Sequence, residues 1–531
     1  MHDLDQFLLP VALVTGVVVL TPVAERVNVP HPVLLLIYGL LLPLLPGLPD
    51  TLPQLQADWI LPAVLPPLLF AATQRTTVGQ FRDAAAPVAL LAVGLTVASG
   101  AVAAVAARAC GLSWTAAVVL GAILSPPDPV AATAVARRLR LPERLVTVLE
   151  GEGMFNDATA LVMYKVALAV AVTGEFSAGF AVEELLLALV VGVVGGLVIG
   201  WLTTYALGLL HDAEPETTVT LAAPFVAYLG VEEFHGSGVL AVLTLGLFLR
   251  SKAHPAITAR GWLLGRSVWE YADFLITGLV FVLLGYELTA SVRGVDVDAL
   301  PVGSALVVIG ALVLLRPLYL FPGALASRAM SRRREAPVPI GWRETAVASW
   351  AGMRGVVTVA TALALPVVAD DGSDLAWRTD VVLIALAGVL VTLLGQGLTL
   401  SFLVRRLGVG DPADEASEVR HLQMRALEAA VATLQEACAD GEPGTRAALA
   451  QYEGRLRAQH ELDQALTGDR PPGHAPDPSG PAGRRYAAAL RVATDAEREV
   501  VLSARARGEV SPATADTVLG DVEGRAARLA I

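Results

Sequence analysis

The chain has little charge and almost no cysteine. Charged residues make up 17% of its 531 positions, and the cysteines number two, Cys110 and Cys438. Two thiols so far apart exclude a disulfide framework and a zinc site of the usual spacing. The opening stretch, Met-His-Asp-Leu-Asp-Gln, lacks the basic region of a secretory signal, so the first apolar run is expected to be retained. No Gly-rich phosphate loop, His-Glu-x-x-His pair or Gly-x-Ser-x-Gly elbow occurs, which argues against a nucleotide enzyme or a membrane hydrolase. No cofactor is expected. A net charge of −12, spread over loops and a tail, gives no footing for nucleic acid.

What is abundant is apolar sequence: 55% hydrophobic residues and a mean hydropathy of +0.61. Runs such as 84–109 and 183–210 exceed the roughly 20 residues that cross a bilayer. The pattern predicts an all-α polytopic membrane protein of about thirteen spans. They lie near 7–25, 31–47, 58–73, 84–108, 114–136, 146–173, 183–209, 217–230, 237–250, 268–288, 301–322, 343–366 and 379–404. Alternate loops carry Arg75 and Arg82, then Arg137, Arg138, Arg140 and Arg144, then Arg250 and Lys252, then Arg328 and Arg332–Arg334. The loops between them are poor in Lys and Arg, and 367–378 holds Asp370, Asp371 and Asp374. The positive-inside rule then puts the N-terminus outside and the C-terminus in the cytoplasm, in agreement with an odd number of crossings.

Polar residues inside these spans are costly and mark function. A carboxylate at the bilayer centre costs about 2.5–3.5 kcal/mol on insertion scales. Asp157, beside Asn156 in the sixth span, is the first such residue. The fifth span is broken by Ser125-Pro126-Pro127-Asp128-Pro129 and the twelfth by Gly352-Met353-Arg354-Gly355, with Pro366 closing it. With the seventh span as a linker, these breaks fall at matching places in two six-span halves, a symmetry that rests on position alone. Paired broken helices point to a midplane site in an inverted-repeat transporter. Unwound backbone there offers carbonyls to a small cation, and Asp128 and Asp157 would face it. A proline kink with Asp128 as a mere helix cap is the plainer alternative.

A carboxylate that holds either a proton or a dehydrated cation, never both, makes an exchanger by competition. Asp157 is the expected carrier and cation ligand, and Asn156 adds an amide without a second charge. Ser125, Pro127 and Asp128 complete the expected ion site. Glu152 and Arg354 are expected to form a buried ion pair between the sixth and twelfth spans. Arg316 is expected either to compensate charge in the core or to snorkel to the interface. Glu270 reads as an interface residue, Trp269 as a belt aromatic, and His31, His211 and His235 as solvated loop ends or pH sensors.

At these residues the chain resembles the CPA1 family of monovalent cation/proton antiporters, which includes bacterial sodium/proton antiporters and eukaryotic sodium/hydrogen exchangers. The resemblance runs from about residue 10 to 405. It is carried by His31-Pro32 with Tyr38-Gly39, by Leu65-Pro66-Pro67-Leu68-Leu69-Phe70, and by Gly121 through Ala131. It continues with Glu150-Gly151-Glu152 and Asn156-Asp157, Trp269-Glu270 with Phe281 to Gly285, Arg316-Pro317-Leu318, and Gly352 to Gly355. The resemblance implies an inverted-repeat bundle with two broken crossing helices, in which spans four to six and eleven to thirteen form a mobile core. The rest would form a homodimer contact, and the core would move like an elevator. Relatives with two adjacent acids are the electrogenic branch, so Asn156-Asp157 implies electroneutral exchange of one proton for one cation. Sodium is the first expectation for that cation. Many relatives have Thr where Pro127 stands, and some have Glu and Ser where this chain has Ala71 and Gly153, so potassium and lithium stay open. A cation channel, or a membrane sensor that signals through the tail, is the alternative from another class.

From about residue 407 the chain becomes charged and Ala-rich. Leu427, Val431 and Leu434 recur at helical spacing, as do apolar positions in 444–467 and 484–504, and 469–483 reads as a Pro/Gly linker. The expected division is a transmembrane exchange unit, 1–406, and a cytoplasmic helical tail, 407–531, in the cell membrane of its host.

Overall fold

The computed structural model describes the chain except residues 1, 28, 45–56, 75–87, 129–131, 134–135, 137–138, 140, 174–177, 293–300, 335–340, 367, 369–373, 410–412, 438–442, 465–480, 508 and 530–531. Pro129 and the basic residues Arg75, Arg82, Arg137, Arg138 and Arg140 thus lie outside the described residues, as do the acidic Asp370 and Asp371 and most of the expected 469–483 linker. The side chains of Arg144, Arg328 and Arg332–Arg334 do too.

Among the described residues the regular structure is helical, apart from one isolated bridge between Val368 and Asp374. The described helices begin with α1 (His2–Val27), α2 (His31–Leu41), α3 (Ala57–Thr73), α4 (Thr96–Ala109, entered through a π turn at Leu90–Leu95), α5 (Trp114–Leu124) and α6 (Glu143–Thr173). There follow α7 (Ala178–Leu209), α8 (Ala213–Glu232), α9 (Gly238–Lys252), α10 (Ala259–Val292), α11 (Val302–Arg334), α12 (Trp342–Trp350), α13 (Val356–Leu363) and α14 (Arg378–Leu407). Among the described residues six segments, at 90–109, 145–173, 185–209, 259–290, 302–326 and 378–407, are long and apolar enough to cross a membrane by themselves.

The two expected breaks are present. Ser113 caps α5 by accepting from the Ala116 amide at 3.2 Å, and the helix stops at Leu124, before the prolines. The twelfth span is two short helices, α12 and α13, separated by the non-helical residues 351–355.

Gly39 and Gly285 make α2 and α10 cross backbone to backbone. A Cβ on Gly39 would overlap the Val282 carbonyl, and one on Gly285 the Leu36 carbonyl. Small residues at such a crossing let helices approach where apolar lipid gives no reason to associate. One finding differs from the expectation of an interfacial Trp269. α10 begins at Ala259, nine residues before the expected span, so Trp269 falls well inside the helix. It is buried against Phe70 with ring centroids 4.6 Å apart.

The remaining helices are α15 (Ala413–Ala437), α16 (Pro443–Gln464), α17 (Pro481–Arg507) and α18 (Pro512–Leu529). Leu427, Val431 and Leu434 share an apolar cluster with Tyr452 and Leu490, while Leu422, Val501, Val518 and Leu519 form a second, against which Trp262 of α10 packs. Arg250 of α9 donates to both oxygens of Asp516 at 2.7 and 2.8 Å, and Arg266 of α10 donates to the Asp516 carbonyl at 2.6 Å. The C-terminal helices are therefore docked on the ends of α9 and α10.

That docking has a pH dependence. Burial first, then Arg505, Arg498 and Arg250, push the His254 imidazole from its usual 6.5 down to about 3. Glu523 lies 3.6 Å away but already gives both oxygens to Arg498, so it does not hold a proton on His254. A depressed base stays neutral in the docked state while the undocked one protonates. Docking is therefore strongest above pH ~6.5 and weakens towards pH ~3, by up to about 1.4 kcal/mol per pH unit. Hydrogen exchange of α18, corrected for intrinsic rates, should show protection falling from pH 7 to 5 in the wild type. In His254→Gln it should change little over the same range.

Candidate functional site

The two breaks meet each other. The Asp128 amide donates to the Met353 carbonyl at 2.6 Å, joining the unwound segment after α5 to the one between α12 and α13. The Arg354 amide donates to Thr392 Oγ1 of α14 at 2.9 Å, and its guanidinium Nη1 to the Ser125 carbonyl at 2.7 Å. A half-helix end leaves carbonyls unsatisfied and carries partial negative charge, and a cation there answers both. Arg354 does this for α5. Arg316 does the same for α12, where Nε donates to the Ala348 carbonyl at 2.9 Å.

Glu152 pairs with Arg316, not with the expected Arg354. The contact is bidentate, with Nη1 to Oε1 at 2.6 Å and Nη2 to Oε2 at 2.8 Å, and both side chains are buried. Arg316 therefore does not snorkel; Pro317 beside it lies within α11, and the guanidinium turns inward to carboxylate and carbonyl. The planar fork of arginine matches a carboxylate in a way that lysine could not.

Asp157 and Asp128 both line a cavity of about 1010 Å³, together with Gly153, Ala71, Trp269 and Thr358. Asp157 is 8% exposed and Asp128 9%. The Asp128 carboxylate lies against Gly355 at the start of α13, where a Cβ would overlap it. Its negative charge thus sits at a helix N-terminus, the favourable end. Asn156 is fully buried and donates through Nδ2 to the Pro127 carbonyl at 2.7 Å, so it ties α6 to the first break. Ser125, expected in the ion site, does not line the cavity. Its hydroxyl donates to the Ala122 carbonyl at 2.8 Å, and its own carbonyl receives Arg354. The positions flagged as lacking oxygens, Ala71 and Gly153, do line it.

Among the described residues, the buried charged groups around the breaks are three carboxylates (Asp128, Glu152, Asp157) and two guanidiniums (Arg316, Arg354). Three against two leaves one net negative charge when all are ionised. Among the described residues no group of three or more His, Cys, Asp and Glu side chains is arranged to hold a metal ion.

Of the other expected residues, His31 lines the cavity, contacts Thr21 Oγ1 at 2.7 Å and stacks on Phe274. His211 and His235 are exposed. Glu270 accepts from Arg266 at 2.8 Å within α10. Thr358 and Thr392, both near the second break, were not expected from sequence.

The sequence model described as "Sodium/hydrogen exchanger, transmembrane" matches residues 12–406. The chain belongs to the sodium/hydrogen exchanger family. It is similar to the sodium/proton antiporter ApNhaP of Aphanothece halophytica, 32% identical over 82% of this chain and 81% of that one. An uncharacterised sodium/proton exchanger of Mycobacterium tuberculosis is 33% identical over 80% and 79%. The antiporter of Bacillus subtilis named for sodium, potassium, lithium and rubidium is 31% identical over 64% of this chain and 53% of its own. The sodium/proton antiporter MjNhaP1 from Methanocaldococcus jannaschii has the same fold, with TM-score 0.60 at 20% identity over 77% of this chain and all of that one. Like the family, the chain is a multi-pass membrane protein.

Proposed function

We propose that the protein is a secondary antiporter that exchanges protons for a monovalent cation, sodium first, by competition at Asp157. The observation that carries this is the single net negative charge of the buried cluster, with Asp157 bordering the cavity. Either a proton or one monovalent cation brings that cluster to neutrality, and a neutral cluster crosses a low-dielectric barrier far more readily than a charged one. Glu152 and Arg316 cancel each other within bonding distance, and Arg354, bonded to the Ser125 carbonyl, brings one positive charge to the breaks against the two aspartates. Asp157 is then the group whose charge the substrate must balance. Asn156, in the place where a second acid would add charge, keeps the balance at one. One proton for one cation follows, hence electroneutral exchange.

Residues 1–406 form the exchange unit in this reading, and 407–531 a cytoplasmic tail. Arg250 and Lys252 end α9 on the side where the tail docks, which supports a cytoplasmic C-terminus and an outside N-terminus in the cell membrane. Alternating access by an elevator-like motion of a homodimer is the family's mode and the one assigned here. Potassium is the second candidate, in keeping with the breadth in the name of the Bacillus subtilis relative.

The test is exchange in proteoliposomes with the membrane voltage clamped by potassium and valinomycin. A sodium gradient should drive proton movement at the same rate at 0 and −100 mV. A rate that rises or falls steadily with voltage contradicts the one-for-one stoichiometry.

A further inference from the structure

Thr358 carries a polar group that the fold leaves unsatisfied. Its side chain is 0% exposed, and its hydroxyl finds no hydrogen-bond partner among the described residues. A buried hydroxyl left without a partner costs about 1–3 kcal/mol, so it calls for an explanation. Helical threonines normally return the hydroxyl to the carbonyl four residues back, as neighbouring ones here do. Thr345 donates to Gly341 at 2.9 Å, Thr361 to Val357 at 2.7 Å, and Thr392 to Gly388 at 2.7 Å. For Thr358 that carbonyl belongs to Arg354, in the non-helical segment 351–355, and no such bond forms. The break that creates the site is what frees this oxygen.

Its position is equally specific. Thr358 is the third residue of α13 and lines the same cavity as Asp157 and Asp128. Positive partial charge at a helix N-terminus would oppose a cation nearby. Here Asp128, packed on Gly355, supplies the opposing negative charge. A neutral oxygen one turn in can therefore serve a cation without meeting an uncompensated dipole.

We propose that the Thr358 hydroxyl is a ligand of the transported cation and a determinant of its selectivity, an assignment that rests on the antiport reading above. It replaces part of the oxygen that Ala71, Gly153 and Pro127 do not offer. In one state the hydroxyl oxygen would coordinate the cation, and in the other it would accept a hydrogen bond from the protonated Asp157 carboxyl. The same hydroxyl thus supports both occupants of the carboxylate. Its place relative to Asp157 would then help set which alkali ion fits best.

The experiment compares wild type, Thr358→Val and Thr358→Ser. Valine has the shape of threonine without the oxygen; serine keeps the oxygen without the methyl. In proteoliposomes Thr358→Val should raise the apparent KM for sodium about tenfold or more, with kcat within about twofold. The order of preference among lithium, sodium and potassium should change with it. Thr358→Ser should stay within about threefold of wild type in both. Unchanged KM and unchanged ion order in Thr358→Val would overturn the proposal. So would equal damage from valine and serine, which would make the methyl's packing the cause. A second readout separates this claim from the antiport reading: the rise in melting temperature of purified protein on adding sodium. If wild type binds sodium without exchanging protons, the antiport reading fails. A sodium-dependent rise present in wild type and Thr358→Ser but lost in Thr358→Val still establishes the ligand. A rise of the same size in all three overturns it.

Discussion

Asp157→Asn should abolish exchange, lowering sodium-driven proton flux at least about 100-fold, to the leak of protein-free vesicles. The substitution is nearly isosteric, so shape and burial are kept while the titratable group is lost. The buried cluster then holds two carboxylates and two guanidiniums, already neutral without a substrate. A cation would make it positive in a medium where a lone charge costs several kcal/mol, and no proton can be exchanged for it. Fluorescence dequenching with sodium, potassium and lithium added in turn checks this, with melting of the purified variant as the control for folding. Flux above about a tenth of wild type with any of the three ions would remove Asp157 from the centre of the mechanism.

Arg316→Met should be the most damaging substitution for stability. It leaves Glu152 buried without its bidentate partner and the Ala348 carbonyl without its donor. Breaking a buried pair from one side costs about 3–5 kcal/mol, against a total stability of about 5–15 for a typical domain. Little folded protein should survive extraction. Glu152→Gln with Arg316→Met removes both charges and should recover most of the melting temperature, short of wild type by the lost bond to Ala348. The double variant keeps the cluster at one net negative charge, so it should also retain exchange. Melting and flux of the two single variants and the double one decide the point. A double variant as unstable as Arg316→Met alone would mean that the pair's charge balance is not what holds this region together.

Asp157 and the breaks were readable from the chain because each violates a strong local rule. Asp157 stands where carboxylates are scarce, and Pro126, Pro127 and Gly352–Gly355 interrupt runs that would otherwise be helical. The partner of Glu152 was not readable. Arg316 and Arg354 are both intramembrane arginines, and which one reaches Glu152 depends on how α11 packs beside the end of α12. Trp269 was misplaced because the polar residues Arg260, Arg266 and Glu270 hide the first turns of α10 from a hydropathy reading. Ser125 resembles a ligand in one dimension, yet its place at the end of α5 turns its hydroxyl back to Ala122. The oxygen at Thr358 depends on the absence of one backbone bond, a fact of the broken helix in three dimensions. Docking of the last helices joins Arg250 to Asp516, 266 positions away, beyond any local pattern.

Competition at one carboxylate is the central claim, and sodium-driven exchange measured as a function of pH tests it most directly. On the acid side of the carrier's titration, the apparent KM for sodium should rise about tenfold for each unit by which pH falls, while the rate at saturating sodium stays constant. A KM that does not move with pH, with the whole effect in the maximal rate, would contradict the account. Proton and cation would then occupy different groups.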